Sequence, residues 1–473
     1  MTRRRRLLVA AAAALALLAL APQVASAHGL VGRADLPIPT WLFGWAAAIV
    51  LGVSFALLGA LWRKPRLEEP HERRVVRIPR VVDAICGAIG IAYFGIVVYA
   101  GFAGSGVPTA NIAPTSIYVI FWVGTVVLSI LFGDVFRVFS PWRSFAVAVA
   151  FVARPIARNW RTRPYPDRVG RWPAAVGIVC FAWMELAYAP TERTDPQHLA
   201  IVAVAYAVVQ LVGMAVYGIE RWTTRADAFG VYFNMFSRLS PWERRDGVLY
   251  LRPPLSGAPR WDGMVSGSVA LLCAGIGSTS FDGFSNGVAW ADLSPHLQDF
   301  FKTLGAGQEA ALELAATVGL LFFVGLVFVF FRLGIQGMRM VGHGHEPREL
   351  LGRFAHSLIP IAFAYALAHY FSLLLFQSQA MGYLISDPLG KGSDLFGTAG
   401  SGIDYNAISG DGIWYVQVGA LVCGHVAGLI LAHDRALVTY EDTGEATRSQ
   451  YWMLVVMVGF TSLGLWLLSA VNH

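Results

Sequence analysis

Residues 310–331 read AALELAATVGLLFFVGLVFVFF, with Glu313 as their one charge. As a helix rising ~1.5 Å per residue, such a run covers the ~30 Å of hydrocarbon in a bilayer. Nine further runs have the same character, near 41–62, 81–103, 115–136, 172–190, 199–219, 263–281, 356–377, 413–432 and 450–470. The loops between them are too short to hold soluble domains. The expectation is an all-α polytopic transmembrane bundle of about ten spans, with residues 28–473 forming a single integral membrane domain. Composition points the same way: 56% of residues are hydrophobic and 14% charged, where soluble chains carry ~25% charge.

The chain begins with Met1-Thr2-Arg3-Arg4-Arg5-Arg6, continues without a charge from Leu7 to Ala21, and reaches Ala25-Ser26-Ala27. A basic start, a short apolar stretch and an Ala-x-Ala site predict a signal peptide over 1–27. Cleavage after Ala27 would leave His28 at the mature N-terminus. Its amino group and imidazole are two nitrogen donors of the kind Cu(II) prefers. An arbitrary first residue is the plainer reading.

Lys and Arg collect on alternate loops. With the mature N-terminus outside, the loops near 63–80, 137–171, 220–262, 332–355 and 433–449 are internal and hold 28 Lys and Arg. The external segments hold Arg33, Arg193, Lys302 and Lys391, together with acids that include Glu192, Asp195, Asp282, Asp292, Asp299, Asp387, Asp394, Asp404 and Asp411. By the positive-inside rule both mature termini are external in a bacterial cell membrane. The formal charge of +6 then reports topology and contact with anionic lipid rather than a nucleic-acid partner. Cys86, Cys180, Cys273 and Cys423 each lie in an apolar run with no CxxC spacing, which reads as small buried hydrophobes.

Two internal loops share a phrase, Phe139-Ser140-Pro141-Trp142-Arg143 and Leu239-Ser240-Pro241-Trp242-Glu243-Arg244. Interface chemistry alone can produce both copies, since Pro ends a helix and Trp suits the membrane boundary. Duplication of a two-helix unit is the alternative. Segments 144–153 and 229–242 are too short to cross and are expected to lie along the internal face.

Ionisable groups inside spans are costly and mark functional candidates. The eighth span carries Tyr365, His369 and Ser372 on one helical face, and the ninth carries His425 beside Gly424 and Gly428. Counted from the external side, His369 and His425 differ in depth by only ~6 Å. The pair can share a metal, a haem or a proton; equally, each imidazole can hydrogen-bond a neighbour and lock two helices together. Glu185, Asp282, Glu309 and Glu313 stand toward the same external level. His369, His425, Glu185 and Asp282 are therefore the candidate catalytic groups. His369, His425, Glu313 and His28 are the candidate ligands of a divalent metal, zinc or copper. His343-Gly344-His345-Glu346 reads as a solvated loop, and His433-Asp434-Arg435 as an interfacial anchor with an ion pair. The sequence has no Walker loop, dinucleotide fingerprint, HExxH, GxSxG or CxxCH, so ATP hydrolysis, soluble-type zinc proteolysis and c-type haem have no support.

Three stretches resemble actinobacterial polytopic membrane proteins of the fenitrothion hydrolase family. They are His28-Gly-Leu-Val-Gly-Arg-Ala-Asp-Leu-Pro-Ile-Pro39, the exit Ser278-Thr-Ser-Phe-Asp-Gly-Phe284, and the segment His356 to Gln379 continuing to Ile413-Trp-Tyr-Val-Gln417 and His425. The resemblance implies a membrane-bound hydrolase of organophosphate aryl esters over most of the mature chain, and transfers no catalytic residue. A neutral phosphotriester is an apolar small molecule that can reach a lipid-level pocket, and a His- and carboxylate-bound metal could activate water there. A transporter or metal-handling permease uses the same residue types as an ion or proton pathway. A bis-His haem or copper redox protein is a third reading.

Overall fold

The computed structural model describes residues 40–155, 160–341 and 345–470; the expected signal peptide and His28 lie outside them. The chain is 71% helical. Its principal helices are α1 (Thr40–Leu61), α2 (Arg80–Ala103), α3 (Ile112–Phe132), α4 (Pro141–Ala153), α5 (Trp172–Leu186), α6 (Pro196–Tyr217) and α7 (Ala228–Ser237). They continue as α8 (Ser268–Ser285), α9 (Val288–Thr303), α10 (Gln308–Arg339), α11 (Ile359–Gln377), α12 (Gly410–Thr439) and α13 (Tyr451–Ala470).

Seven helices among the described residues are long and apolar enough to cross a membrane: α1, α2, α3, α6, α10, the run Pro347–Ser386 that contains α11, and α12. The other three expected spans are helical too, as α5, α8 and α13. With 15 residues, α5 reaches only ~22 Å at 1.5 Å per residue, so the structure ends it at Leu186 instead of near 190. The middle of α3 is π-helical over Thr115–Gly124, a geometry that recurs near functional sites.

α11 and α12 pack together most extensively, because glycines remove the side chains between them. A Cβ on Gly424 would stand 2.2 Å from the Ala364 Cβ and 2.7 Å from the Pro360 carbonyl oxygen. At Gly428 it would meet the Ser357 carbonyl oxygen at 3.0 Å.

One expectation for a short segment is overturned. Instead of lying along a face, α7 is an interior helix, with Phe229, Val231, Tyr232, Phe233, Met235 and Phe236 all buried. A helix apolar on every side buries every side. Phe229 and Phe233 pack edge-on against Phe121 at ring separations of 4.6 and 5.4 Å. The shared phrase also takes two structures. Ser140 caps α4, its Oγ accepting from the Arg143 N–H at 3.4 Å; the second copy runs from Ser240 into a β-strand at Trp242. A repeated two-helix unit does not account for that difference.

That strand belongs to a small antiparallel sheet the sequence did not announce. Its order is β1 (Arg73–Arg77), β3 (Val248–Leu251), β2 (Trp242–Arg245). Asp246-Gly247 closes the β2–β3 hairpin with φ of 50° and 76°, the left-handed pair that a two-residue turn requires. Arginines bind the sheet to its surroundings: Glu243 pairs with Arg252 at 2.7 Å and Arg260 at 3.0 Å, and Glu72 with Arg245 and Arg260.

At the same end, α12 latches α1. The buried Asp434 carboxylate accepts the Trp62 indole N–H at 2.8 Å and the backbone N–H groups of Arg66 and Leu67 at 2.7 and 3.1 Å. His433 Nε2 donates to the Trp62 carbonyl at 2.9 Å, and Arg435 pairs with Glu68 at 3.2 Å. Removing the Asp434 carboxylate strands the buried Leu67 N–H and two part-buried donors, a buried one costing about 1–3 kcal/mol. Asp434→Ala is therefore expected to lose about 1–3 kcal/mol in denaturant titration, and Trp62→Phe less than half of that.

The sheet end is also sensitive to acid. Burial alone would raise the Glu72 carboxyl, but hydrogen bonds and charge from Arg260 and Arg245 override it and hold the group below its usual 4.5. Burial likewise opposes, and Arg143 and Arg137 override, at Glu220, which bridges both guanidiniums. Groups depressed in this way stabilise the fold above the unfolded value of 4.5 and lose that contribution as pH falls through the folded one. Thermal melts between about pH 6 and pH 3 should show a falling midpoint, and Glu72→Gln/Glu220→Gln should flatten that fall.

Candidate functional site

Three of the sequence-predicted residues line one cavity of about 520 Å³: Glu185 from α5, Asp282 from α8 and His369 from α11. The volume is in the ~300–1,000 Å³ range of small-molecule sites. Arg193, Ser285, Asn286, Ser294 and Tyr370 add polar groups, while Leu186, Pro190, Leu312, Ala316 and Leu373 make an apolar wall. The lining thus combines apolar side chains with two acids, an arginine, an imidazole and hydroxyl and amide groups.

The central contact is a hydrogen bond of 2.8 Å between His369 Nε2 and Asp282 Oδ2. A carboxylate accepts, so Nε2 carries the proton, and in the neutral ring Nδ1 presents a lone pair. The Tyr370 hydroxyl approaches the same carboxylate and the indole of Trp122. Trp122 comes from the π-helical turn of α3, where it stacks on Tyr232 at 5.2 Å. Arg193 is within electrostatic reach of both acids. It is anchored through its own carbonyl, which accepts from the Tyr118 hydroxyl at 2.7 Å, and its Nη1 donates to the Glu185 carbonyl at 3.4 Å.

Local sequence explains the placement. Ser278, Thr279 and Ser280 return their hydroxyl protons to carbonyls one turn back, at 3.2, 3.1 and 2.8 Å, which lets a polar stretch stay helical inside the bundle. Asp282 follows one turn later. α9 then covers one side of the cavity with Trp290, which packs edge-on against Phe281 at 5.2 Å, and Ser294.

The other candidates lie elsewhere. His425 is fully buried, but its Nδ1 donates to the Leu421 carbonyl at 2.7 Å and its ring packs on Tyr365 at 6.1 Å. It does not line the cavity, and of the two alternatives read from the sequence the structure has each imidazole bonded to its own neighbour, His369 to Asp282 and His425 to Leu421. Helix rotation decides this, and depth alone did not reveal it. Glu313 accepts the Ala189 N–H at 3.2 Å and so caps the turn that follows α5. Gln379 secures the loop after α11 by accepting from the Asp404 N–H at 2.9 Å. His345 sits 3.9 Å from Glu349.

Among the described residues, no three His, Cys, Asp or Glu side chains come close enough to hold a metal ion. Of the donors expected for zinc or copper, His369, His425 and Glu313 therefore form no such group among the described residues, and His28 lies outside them. Tyr370, Arg193, Trp122 and Trp290 were not singled out from sequence. Tyr370 had one available signal, its position directly after His369. No family model, curated protein or solved structure matches the chain.

A test of the scaffold follows from Gly424. Gly424→Ala must push α11 and α12 apart, and overpacking of this kind costs about 1–3 kcal/mol. The melting temperature of the purified protein should fall accordingly, whereas Gly419→Ala, where a Cβ meets nothing within 4 Å, should leave it unchanged.

Proposed function

We propose that the chain is a membrane-embedded hydrolase that cleaves a neutral, apolar ester of the organophosphate type in the cavity at Asp282 and His369. The observation that carries this reading is their 2.8 Å hydrogen bond in the lining of a cavity that also presents apolar side chains. Asp282 fixes the His369 tautomer and leaves Nδ1 as a base, the logic by which a carboxylate orients a catalytic imidazole. Nδ1 removes a proton from water, the oxygen attacks phosphorus, and the bond to the aryloxy group breaks with its electron pair leaving on the aryloxide. Arg193 stabilises the negative charge that develops. Glu185 offers a second acceptor that orients the attacking water.

In this reading ten helices cross a bacterial cell membrane after a cleaved signal peptide, and the cavity opens toward the external side. The division of Lys and Arg between loops supports that orientation, since Arg-rich β1, β2 and their neighbours gather at the opposite end. The likeness to the fenitrothion hydrolase family supports the substrate class.

A transporter is the second reading, favoured by the placement of Glu185, Asp282 and His369 together within a bundle of apolar helices. The two separate cleanly. Purified protein in lipid nanodiscs is given a nitrophenyl phosphotriester and nitrophenol is followed by absorbance. Release that falls about 10²-fold or more in His369→Gln and Asp282→Asn supports hydrolysis. Absence of release by the wild type, or full release by both variants, rejects it; uptake of intact solute into sealed vesicles then favours transport.

A further inference from the structure

Trp122 stands in the π-helical stretch of α3, Thr115–Gly124. Turns closed from i to i+5 instead of i to i+4 carry each later side chain to a different bearing round the helix axis. Trp122 is buried, its ring stacked on Tyr232 at 5.2 Å and tilted against Phe181 at 4.8 Å. Two ring neighbours fix the plane of the indole, and with it the direction of the N–H.

That N–H is buried and has no full hydrogen bond to any described group. An indole N–H can only donate, and leaving one unmet in the interior costs about 1–3 kcal/mol. The Tyr370 hydroxyl is the polar group that approaches it. Tyr370 is itself buried, with its ring 4.7 Å from that of His369, the residue before it on α11. The same hydroxyl approaches the Asp282 carboxylate.

These two neighbours leave the hydroxyl one way to point. The indole only donates and an ionised carboxylate only accepts, so the Tyr370 oxygen takes the Trp122 proton and its own O–H is given to Asp282. Asp282 lacks a firm second donor otherwise. Its Oδ2 accepts from His369 Nε2 at 2.8 Å, whereas Oδ1 has a long contact of 3.4 Å from Asn286 Nδ2, on an exposed side. A carboxylate held by one firm bond can swing about it, and a second donor fixes its plane.

We propose that Tyr370 is a positioning residue, held by Trp122 and in turn holding Asp282, so that the carboxylate and the His369 ring keep one arrangement. The phenol lines the cavity, yet it is committed on both sides and supplies neither a nucleophile nor a proton to the ligand. Its effect on rate rests on the hydrolytic reading of the cavity; the hydrogen bonds themselves do not.

The test takes the full chain in lipid nanodiscs as wild type, Tyr370→Phe, Trp122→Phe and the double variant. Tyr370→Phe keeps the ring and removes only the hydroxyl. The Raman difference between wild type and Tyr370→Phe should show one indole N–H released from a hydrogen bond, and that signal should vanish in the Trp122→Phe background. On the nitrophenyl phosphotriester, Tyr370→Phe should lower kcat about tenfold or more at unchanged KM, as misplacement of a catalytic pair does. Trp122→Phe should lower it less, and the double variant should match Tyr370→Phe, since both act through one hydroxyl. An unchanged indole signal overturns the proposal, as does wild-type kcat in Tyr370→Phe or a double variant whose losses multiply. If Trp122→Phe fails to fold, the Raman signal and kcat of Tyr370→Phe decide. If the wild type releases no nitrophenol, the hydrolytic reading fails and the Raman comparison alone decides whether the three side chains are joined.

Discussion

The site depends on the close approach of α11 and α12 at Gly424, where only a hydrogen fits against Ala364 and the Pro360 carbonyl. That contact fixes the rotation of α11, and the rotation decides which neighbour each of its polar side chains meets. His369 is turned to Asp282 on α8, while Tyr365, one turn earlier, reaches the Phe460 carbonyl on α13. Small residues at a helix interface commonly serve to bring backbones together. Here the same device points an imidazole.

The bundle also shows how polar groups are kept inside an apolar interior. Hydroxyls in α8 bond back to their own helix, Asp434 takes three N–H donors, and the buried Asp227 carboxylate accepts from Trp142 and Tyr206 at 2.8 Å each. Each is a case of the general rule that buried polar atoms find partners. Against that background buried atoms that keep unused capacity stand out, His356 Nε2 and His425 Nε2 among them.

The helical segments were legible because each depends on a local run of apolar residues. Every one of the ten expected runs is helical, and seven of those helices are long and apolar enough to cross a membrane. The acids Glu185 and Asp282 could be singled out for the same local reason, as charges in apolar stretches. Their convergence with His369 was not legible, since it depends on how three separate helices rotate and tilt. Which partner His369 and His425 each meet depends on the same rotations. α7 was misplaced because its length suggested a surface helix, although its unbroken aromatic character pointed inward. The sheet was hidden because β1 and its partner strand β3 lie far apart in sequence, and neither has a long alternating pattern.

The latch at Asp434 and the pairing of β1 with β3 both join early segments to late ones. Trp62 ends the first helix and waits for a carboxylate more than 370 positions downstream. β1 waits for a strand about 170 residues away. During synthesis, which proceeds from the N-terminus at roughly 5–20 residues per second, α1 spends many seconds beside the growing bundle without its final partner. The earliest of the described helices is thus among the last to be fastened, its clasp supplied by a segment made near the end of synthesis.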